Sequence, residues 1–275
     1  MLGLTASASA PSASDGAWTS DGWLSNLAIN ILSAVILFVV GWLAWRATTR
    51  RKLADFFHTS DGITIYTSTL FVVPGGSLDF RDVRRTFGGP AVPLAESEVA
   101  TRLMLVIQRF GSSALGGALK SVRFDDVDCH IAPSPARADD VSRSRTIVTL
   151  GSPGYNCVSE WVESSFDPLC RFAADMGSID APNGPATNVH SGMLVRACHP
   201  TTGQVAYYAA GPSELATVTA ANYLVENWRK LARHYPRSMP FCLVLQADPS
   251  TGGSATVTSR TPSPTPTPWQ YLLRR

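Results

Sequence analysis

Two loops of this 275-residue chain hold residue types that could do chemistry. The first is TIVTL-GSPGYN-CVSEW, with Gly151, Ser152, Gly154, Tyr155 and Asn156 between an apolar run and an amphipathic segment. The second is VAYYAA-GPSELAT-VTAANYL, with Gly211, Ser213 and Thr217 in the same setting. Each reads as a buried strand, a glycine loop and a helix N-terminus. Free backbone N–H groups and the positive end of the helix dipole point out of such a junction. Glycine lets a ligand come close to the backbone, and hydroxyl and amide side chains add donors, which suits phosphate or carboxylate capture. The same residues also make ordinary tight turns and helix caps. Neither loop matches the G-x-G-x-x-G or G-x-x-x-x-G-K-[ST] nucleotide fingerprint.

Carboxylates lie close to both loops. Glu160 and Glu163 fall in the helix after the first, and Glu214 opens the helix after the second. Any of them could serve as general acid, base or nucleophile. Glu214 is the best placed as a catalytic residue, because the first turn of its helix faces the expected pocket. An acidic residue in a first turn also simply complements the helix dipole. Cys157 follows Asn156 at a helix N-terminus, where a thiol pKa can fall. His130, His190 and His199 could be bases but have no recognisable partner in the sequence. No HExxH or Cys/His ligand spacing is present, so neither a metal nor another cofactor is expected. The five cysteines, Cys129, Cys157, Cys170, Cys198 and Cys242, are odd in number and lack C-x-x-C spacing, which argues against a disulfide framework. Cys242 lies in the apolar run FCLVLQ and reads as a small hydrophobe.

The elements around these loops follow from periodicity. Ile63–Val73 reads as a strand ended by Pro74-Gly75-Gly76, and 77–90 as an exposed loop. Pro93–Phe110 has apolar residues at Val99, Leu103, Val106, Ile107 and Phe110, with Glu96 and Glu98 in the first turn, and so reads as a helix. Strands follow at Val122–Ile131 and Arg145–Leu150, separated by a charged loop at 133–144, and then a helix at Cys157–Phe166. Gly192–Cys198 and Val205–Ala210 read as a hairpin, Glu214–Tyr235 as a long helix, and Phe241–Gln246 as a buried strand. This order predicts an α/β domain over 62–248, Rossmann-like and three-layered, with a mixed, mainly parallel sheet.

The domain hangs from a membrane anchor. Leu27–Trp45, LAINILSAVILFVVGWLAW, is free of charge and just long enough to cross a hydrocarbon core. Residues 1–26 hold no Lys or Arg, whereas Arg46, Arg50, Arg51 and Lys52 follow the run. Positive flanks stay cytoplasmic, so a single pass with the N-terminus outside and the domain inside is expected at the cell membrane. Reduced thiols suit that placement. Residues 1–23 read as a disordered outer tail, 24–46 as the span in the lipid bilayer, and 47–61 as a basic juxtamembrane linker. The Pro/Ser/Thr-rich segment 249–275 reads as a C-terminal tail, extended and mobile over 249–268. The net charge of +2, with no basic stripe beyond that linker, points to no nucleic-acid partner.

A strand ending in GSPGYN, then a strand ending in AAG with a helix beginning SELATVTAANYL, resembles a set of Rossmann-like domains. That set includes the SLOG-type nucleotide sensors of bacterial conflict systems and the nucleoside deoxyribosyltransferases. The resemblance spans roughly residues 62–247 in layout and the two loops in residues. It implies binding of a nucleotide-like or nucleoside-like ligand, either to sense it or to cleave its glycosidic bond. The first strand ends in VVPGG, which does not match, and no catalytic carboxylate carries over by position. Three functions stay open. They are a membrane-tethered sensory module for a nucleotide-like or other phosphorylated ligand, a tethered hydrolase or transferase, and an assembly protein that binds another protein or forms a homo-oligomer.

Overall fold

The computed structural model describes residues 20–58, 62–69, 92–111, 127–131, 146–235, 239–251 and 254–262. In chain order the elements are α1 (Ser20–Phe57), β1 (Ile63–Thr67), α2 (Leu94–Gly111), β2 (Val127–Ile131), β3 (Thr146–Leu150) and α3 (Cys157–Ser165). There follow β4 (Arg171–Phe172), β5 (Ile179–Asp180), β6 (Ser191–Cys198), β7 (Val205–Ala210), α4 (Glu214–His234), β8 (Phe241–Asp248) and β9 (Ser254–Thr261). The loops read at 77–90 and 133–144 lie outside the described residues. The chain divides into two compact units, 1–47 and 48–275.

In the first unit, the helix exposes most of its large apolar side chains from Leu27 to Trp45, among them Leu27, Phe38 and Trp45. By length and composition α1 qualifies to cross a membrane. The Arg46 guanidinium lies over the Trp42 ring, 5.3 Å from its centroid. That pairing suits an aromatic residue and a cation at a membrane boundary.

In the second unit, α1 does not give way to a linker after residue 47. It stays helical to Phe57, and Leu53, Phe56 and Phe57 are buried in the main core. Its last carbonyls have no partner within the helix, and strand residues supply one. The Tyr207 hydroxyl donates to the Phe56 carbonyl, and the Thr146 hydroxyl to that of Phe57. Arg196, fully buried in β6, lies between the Phe56 and Phe241 rings and donates to the carbonyls of Met239 and Tyr235.

The sheet has seven strands in the order β2-β1-β3-β7-β6-β8-β9. Pairings from β2 through β7 are parallel and those from β7 through β9 antiparallel, so β6 and β9 alone oppose the other five. Alternation sorts the side chains between two faces. Ile63, Ile65, Val148, Leu150, Tyr207 and Leu243 meet the end of α1, α2 and α4. Ala206, Tyr208, Val195, Cys242 and Val244 meet α3 and the small β4–β5 ribbon. Helices thus cover both faces of a mixed α/β sheet. β1 leads to α2 on one face and β3 leads to α3 on the other, so the chain reverses its winding between these two adjacent strands.

Three local expectations are revised. The first strand stops at Thr67, because the next amide, of Ser68, turns to a side chain on α2, and residues 70–73 of the expected strand lie outside the described residues. Within the tail read as mobile, Ser254–Thr261 pairs with Cys242–Asp248 of β8 as an edge strand. Its Thr and Val residues at alternate positions are what a half-buried strand requires. The cysteines are not all reduced. Cys170 and Cys242 form a disulfide across 72 residues, their Cα atoms 6.0 Å apart, while Cys157 and Cys198 are free. The spacing of residues does not reveal which cysteines a fold brings together.

Candidate functional site

The first loop is held chiefly by its own polar residues. Gly151 has φ +105°, a conformation that glycine adopts without steric cost, and its N–H bonds to the Ala209 carbonyl of β7. Asn156 is fully buried and caps α3. Its Oδ1 accepts from the amides of Val158 at 3.0 Å and Ser159 at 3.3 Å, and its Nδ2 donates to the Leu150 carbonyl at 2.7 Å. The Ser159 hydroxyl closes back on the Gly151 carbonyl at 2.7 Å. The α3 amides expected to face a ligand are therefore occupied by Asn156. Ser152 is buried, and Gly154 and Tyr155 are exposed.

The second loop is sealed in a different way. The Gly211 amide donates to Thr217 Oγ1 at 3.0 Å, and Ser213 caps α4 by accepting from Ala216 at 3.3 Å. A Cβ on Gly211 would lie 2.4 Å from the Ala216 side chain, and one on Gly192 would lie 2.4 Å from the Ala216 carbonyl oxygen. These two glycines let the first turn of α4 settle onto β6 and β7. The space a ligand would need beside Gly211 is filled by α4 itself.

A third strand end, unmatched in the sequence, joins the first loop. Ser68 follows β1, and its hydroxyl donates to Glu96 Oε1 at 3.1 Å and approaches the Leu150 carbonyl at 3.3 Å. The Ser68 amide donates to Glu96 Oε2 at 2.9 Å. A Cβ on Gly151 would fall 1.8 Å from Ser68 Oγ and 3.4 Å from Glu96 Oε1. The Thr69 amide donates to the Tyr155 carbonyl at 3.0 Å, which ties the two strand ends together. Glu96 is 5% exposed, and burial pushes its carboxyl up to about 7, against the two Ser68 hydrogen bonds and with the help of the Glu214 charge. A carboxyl that titrates near neutrality, at the point where the sheet reverses its winding, can accept from a hydroxyl or pass a proton.

Glu96 was not among the carboxylates singled out above, although a signal exists. Glu96, Ala100, Leu103 and Ile107 recur at helical spacing, and all four are buried, so Glu96 sits at the N-terminal end of the core-facing stripe of α2.

The structure disperses the remaining candidates. Glu214 is exposed at the start of α4, near enough to Glu96 for its charge to be felt. Glu160 is exposed. Glu163 accepts from the Phe172 amide and the Tyr208 hydroxyl, both at 3.0 Å, and burial raises its pKa. The Cys157 thiol moves opposite to the expectation from its helix terminus. Burial raises its pKa, and the neighbouring Glu160 charge adds to the shift. His199 Nδ1 accepts from the amides of Thr201 and Thr202 in the β6–β7 turn. Among the described residues, no group of three or more His, Cys, Asp or Glu side chains is placed to hold a metal ion.

No family model, curated protein or solved structure matches this chain.

Proposed function

We propose that this is a membrane-anchored sensory module. The basic residues after Trp45 favour a cytoplasmic domain with the N-terminus outside, although the Cys170–Cys242 disulfide is unusual for that compartment, and the domain binds a nucleotide-like ligand beside the ends of β1 and β3. The observation that carries the reading is Glu96, a buried carboxyl bonded to Ser68 and set against Gly151 at the reversal of winding. Ligands of an open α/β sheet bind at such a reversal, and a sugar hydroxyl could take the place of the Ser68 hydroxyl on Glu96. With Glu214 nearby, the local charge repels phosphate, so the sugar end of the ligand belongs at Glu96 and any phosphate farther out. Binding is favoured over catalysis because Glu160 and Glu214 are exposed and Glu163 is occupied by Tyr208, so no reacting position is enclosed by them.

Calorimetry of the full chain in detergent against nucleosides, nucleotides and NAD tests this reading. At least one should bind, and Glu96→Gln should weaken it by ~10-fold, the worth of one charged hydrogen bond. A panel without a binder, or a binder indifferent to Glu96→Gln, would refute it.

A second reading, an assembly module, is favoured by the self-capping of α3 by Asn156 and by the filling of the Gly211 site by Ala216. Co-purification of a stoichiometric protein partner, with no ligand effect, would favour it. The orientation is tested by protease on intact cells. A domain left intact supports the cytoplasmic placement, and a digested domain reverses it.

A further inference from the structure

The irregular stretch after α3 leads to Cys170, and from there into the β4–β5 ribbon, whose connection turns at Ala173–Ser178. At the tip Met176 has φ +55°, and its Cε lies 3.8 Å from where a Cβ on Gly154 would be. The ribbon thus reaches over the exposed part of the first glycine loop. Packing and hydrogen bonds attach the ribbon to the rest of the domain, among them those from Asn183, in the turn after β5, to Ser259 and Thr261 of β9. Phe172 and Ile179 enter the core of this face, Glu163 accepts from the Phe172 amide, and Ile179 exchanges two backbone bonds with Ala186. The one disulfide cross-link among the described residues is the bond from Cys170 to Cys242 in β8. Cys242 is fixed in a strand paired on both sides, whereas Cys170 lies in a segment outside any helix or strand.

We propose that the Cys170–Cys242 disulfide is a thiol-sensitive strap that decides whether the β4–β5 ribbon stays closed over the Gly151–Asn156 loop. With the bond formed, the ribbon is tied to β8 and Met176 rests against the loop. A small thiol of the glutathione class opens it in two exchanges. The first thiolate attacks the Cys170 sulfur, forms a mixed disulfide there and expels the Cys242 thiolate, which takes up a proton. The second thiolate attacks the sulfur of the small thiol in that mixed disulfide. It releases Cys170 as a thiol and leaves the two small thiols joined as their own disulfide. Both cysteines are about 1% exposed, so the first attack waits on a local opening of the segment around Cys170. A reducing compartment then frees the ribbon and an oxidising one fastens it.

The test uses the full chain in detergent, prepared without reductant. Alkylation after denaturation should label three of its five cysteines, and a peptide linking Cys170 to Cys242 should be found. After treatment with glutathione all five should be labelled. Amide exchange at Phe172, Ala173 and Ile179 should then speed up by ~10-fold or more, while β6 and β7 keep their protection. Re-oxidation should restore the slow rates. The double substitution Cys170→Ala and Cys242→Ala should exchange fast in either condition. The comparison of oxidised and reduced wild type stands even where that variant folds poorly. Five labelled cysteines before any reductant, or ribbon exchange unchanged by reduction, would overturn the proposal.

Discussion

At the end of β3, Gly151 holds φ +105° with Ser68 and Glu96 pressed against the place of its missing side chain. At the end of β7, Gly211 has no such neighbours and instead meets Ala216 from its own following helix. The two junctions share a strand, a glycine, a serine and a helix cap, yet one glycine admits a neighbouring strand end and the other admits a helix. Only the first brings together groups from separate elements, β1, α2 and β3. A binding site needs that convergence, and a helix packed on a sheet needs only the second arrangement. A glycine before a helix therefore does not identify a ligand site until what fills the space above it is known.

Substitution of the glycines gives the largest effects and would break the comparison most directly. Gly151→Val places a branched side chain at positive φ and onto Ser68 Oγ, and should cost more than ~3 kcal/mol or prevent folding. Gly211→Val overpacks against Ala216 and should cost roughly 1–3 kcal/mol. Gly154→Val meets only Met176 Cε at 3.8 Å and should leave the fold intact. Thermal melts of the three variants in one detergent check the ranking. A Gly151→Val protein as stable as Gly154→Val would show that β1 and β3 do not approach as described. The ranking also removes Gly211→Val as a clean probe of ligand binding, because its fold suffers first.

Glu96 sharpens the contrast through pH. Its folded pKa is about 7, against an ordinary value of 4.5. Between those values the folded protein keeps a proton that the unfolded chain has lost. The stabilisation is therefore complete below about pH 4.5 and is lost as pH rises through about 7. The span corresponds to something on the order of 3 kcal/mol. Denaturant titrations from pH 5 to 8 should show wild type weakening relative to Glu96→Gln, whose side chain stays neutral. Parallel profiles for the two proteins would place Glu96 outside a buried setting.

How far the sequence revealed this arrangement depended on the range of each contact. The helices α2, α3 and α4, the buried strand β3 and the β6–β7 hairpin follow from local periodicity, and each was expected within a few residues of where it lies. The end of β1 was not, because Ser68 leaves the strand for a carboxyl 28 residues away and Phe71–Val73 still look like strand. The Cys170–Cys242 pair depends on which face of β8 meets the chain after α3, a tertiary fact. Strand β9 was obscured by the Pro/Ser/Thr composition around it, although its alternating Thr256, Val257 and Thr258 are good strand formers. Of the site itself, the first loop was legible. Glu96 and Ser68 were overlooked, the former because first-turn acids so often do no more than face the helix dipole.

The caps separate the two loops by a smaller margin. Asn156 makes three hydrogen bonds from a fully buried side chain, whereas the half-buried Ser213 accepts one from Ala216 and donates one to the Val189 carbonyl. Asn156→Ala should therefore fall at the upper end of the range for lost caps, ~2 kcal/mol, and Ser213→Ala nearer ~1 kcal/mol. Urea midpoints give both. Equal losses would mean that the Asn156 amide does not hold the end of β3.

The smallest effect is the most informative about function. Glu214 is exposed, and its influence on Glu96 is the least of the causes that set the Glu96 pKa. Glu214→Gln removes the charge and keeps the shape. The Glu96 titration should move down toward its ordinary value, which the carbonyl stretch of the protonated carboxyl reports in an infrared pH series. Stability should change by no more than ~0.3 kcal/mol, because an exposed first-turn charge is worth little in salt. In a sensor, an anionic ligand should bind slightly more tightly once the nearby negative charge is gone. In an enzyme that uses Glu214 as its acid or base, turnover should fall by ~10²-fold or more while binding is nearly unchanged. The two outcomes differ in kind as well as in size. A product that forms from nucleotides or NAD with wild type, and fails to form with Glu214→Gln, would make the end of β7 a working part of the site and replace the sensory reading with a catalytic one.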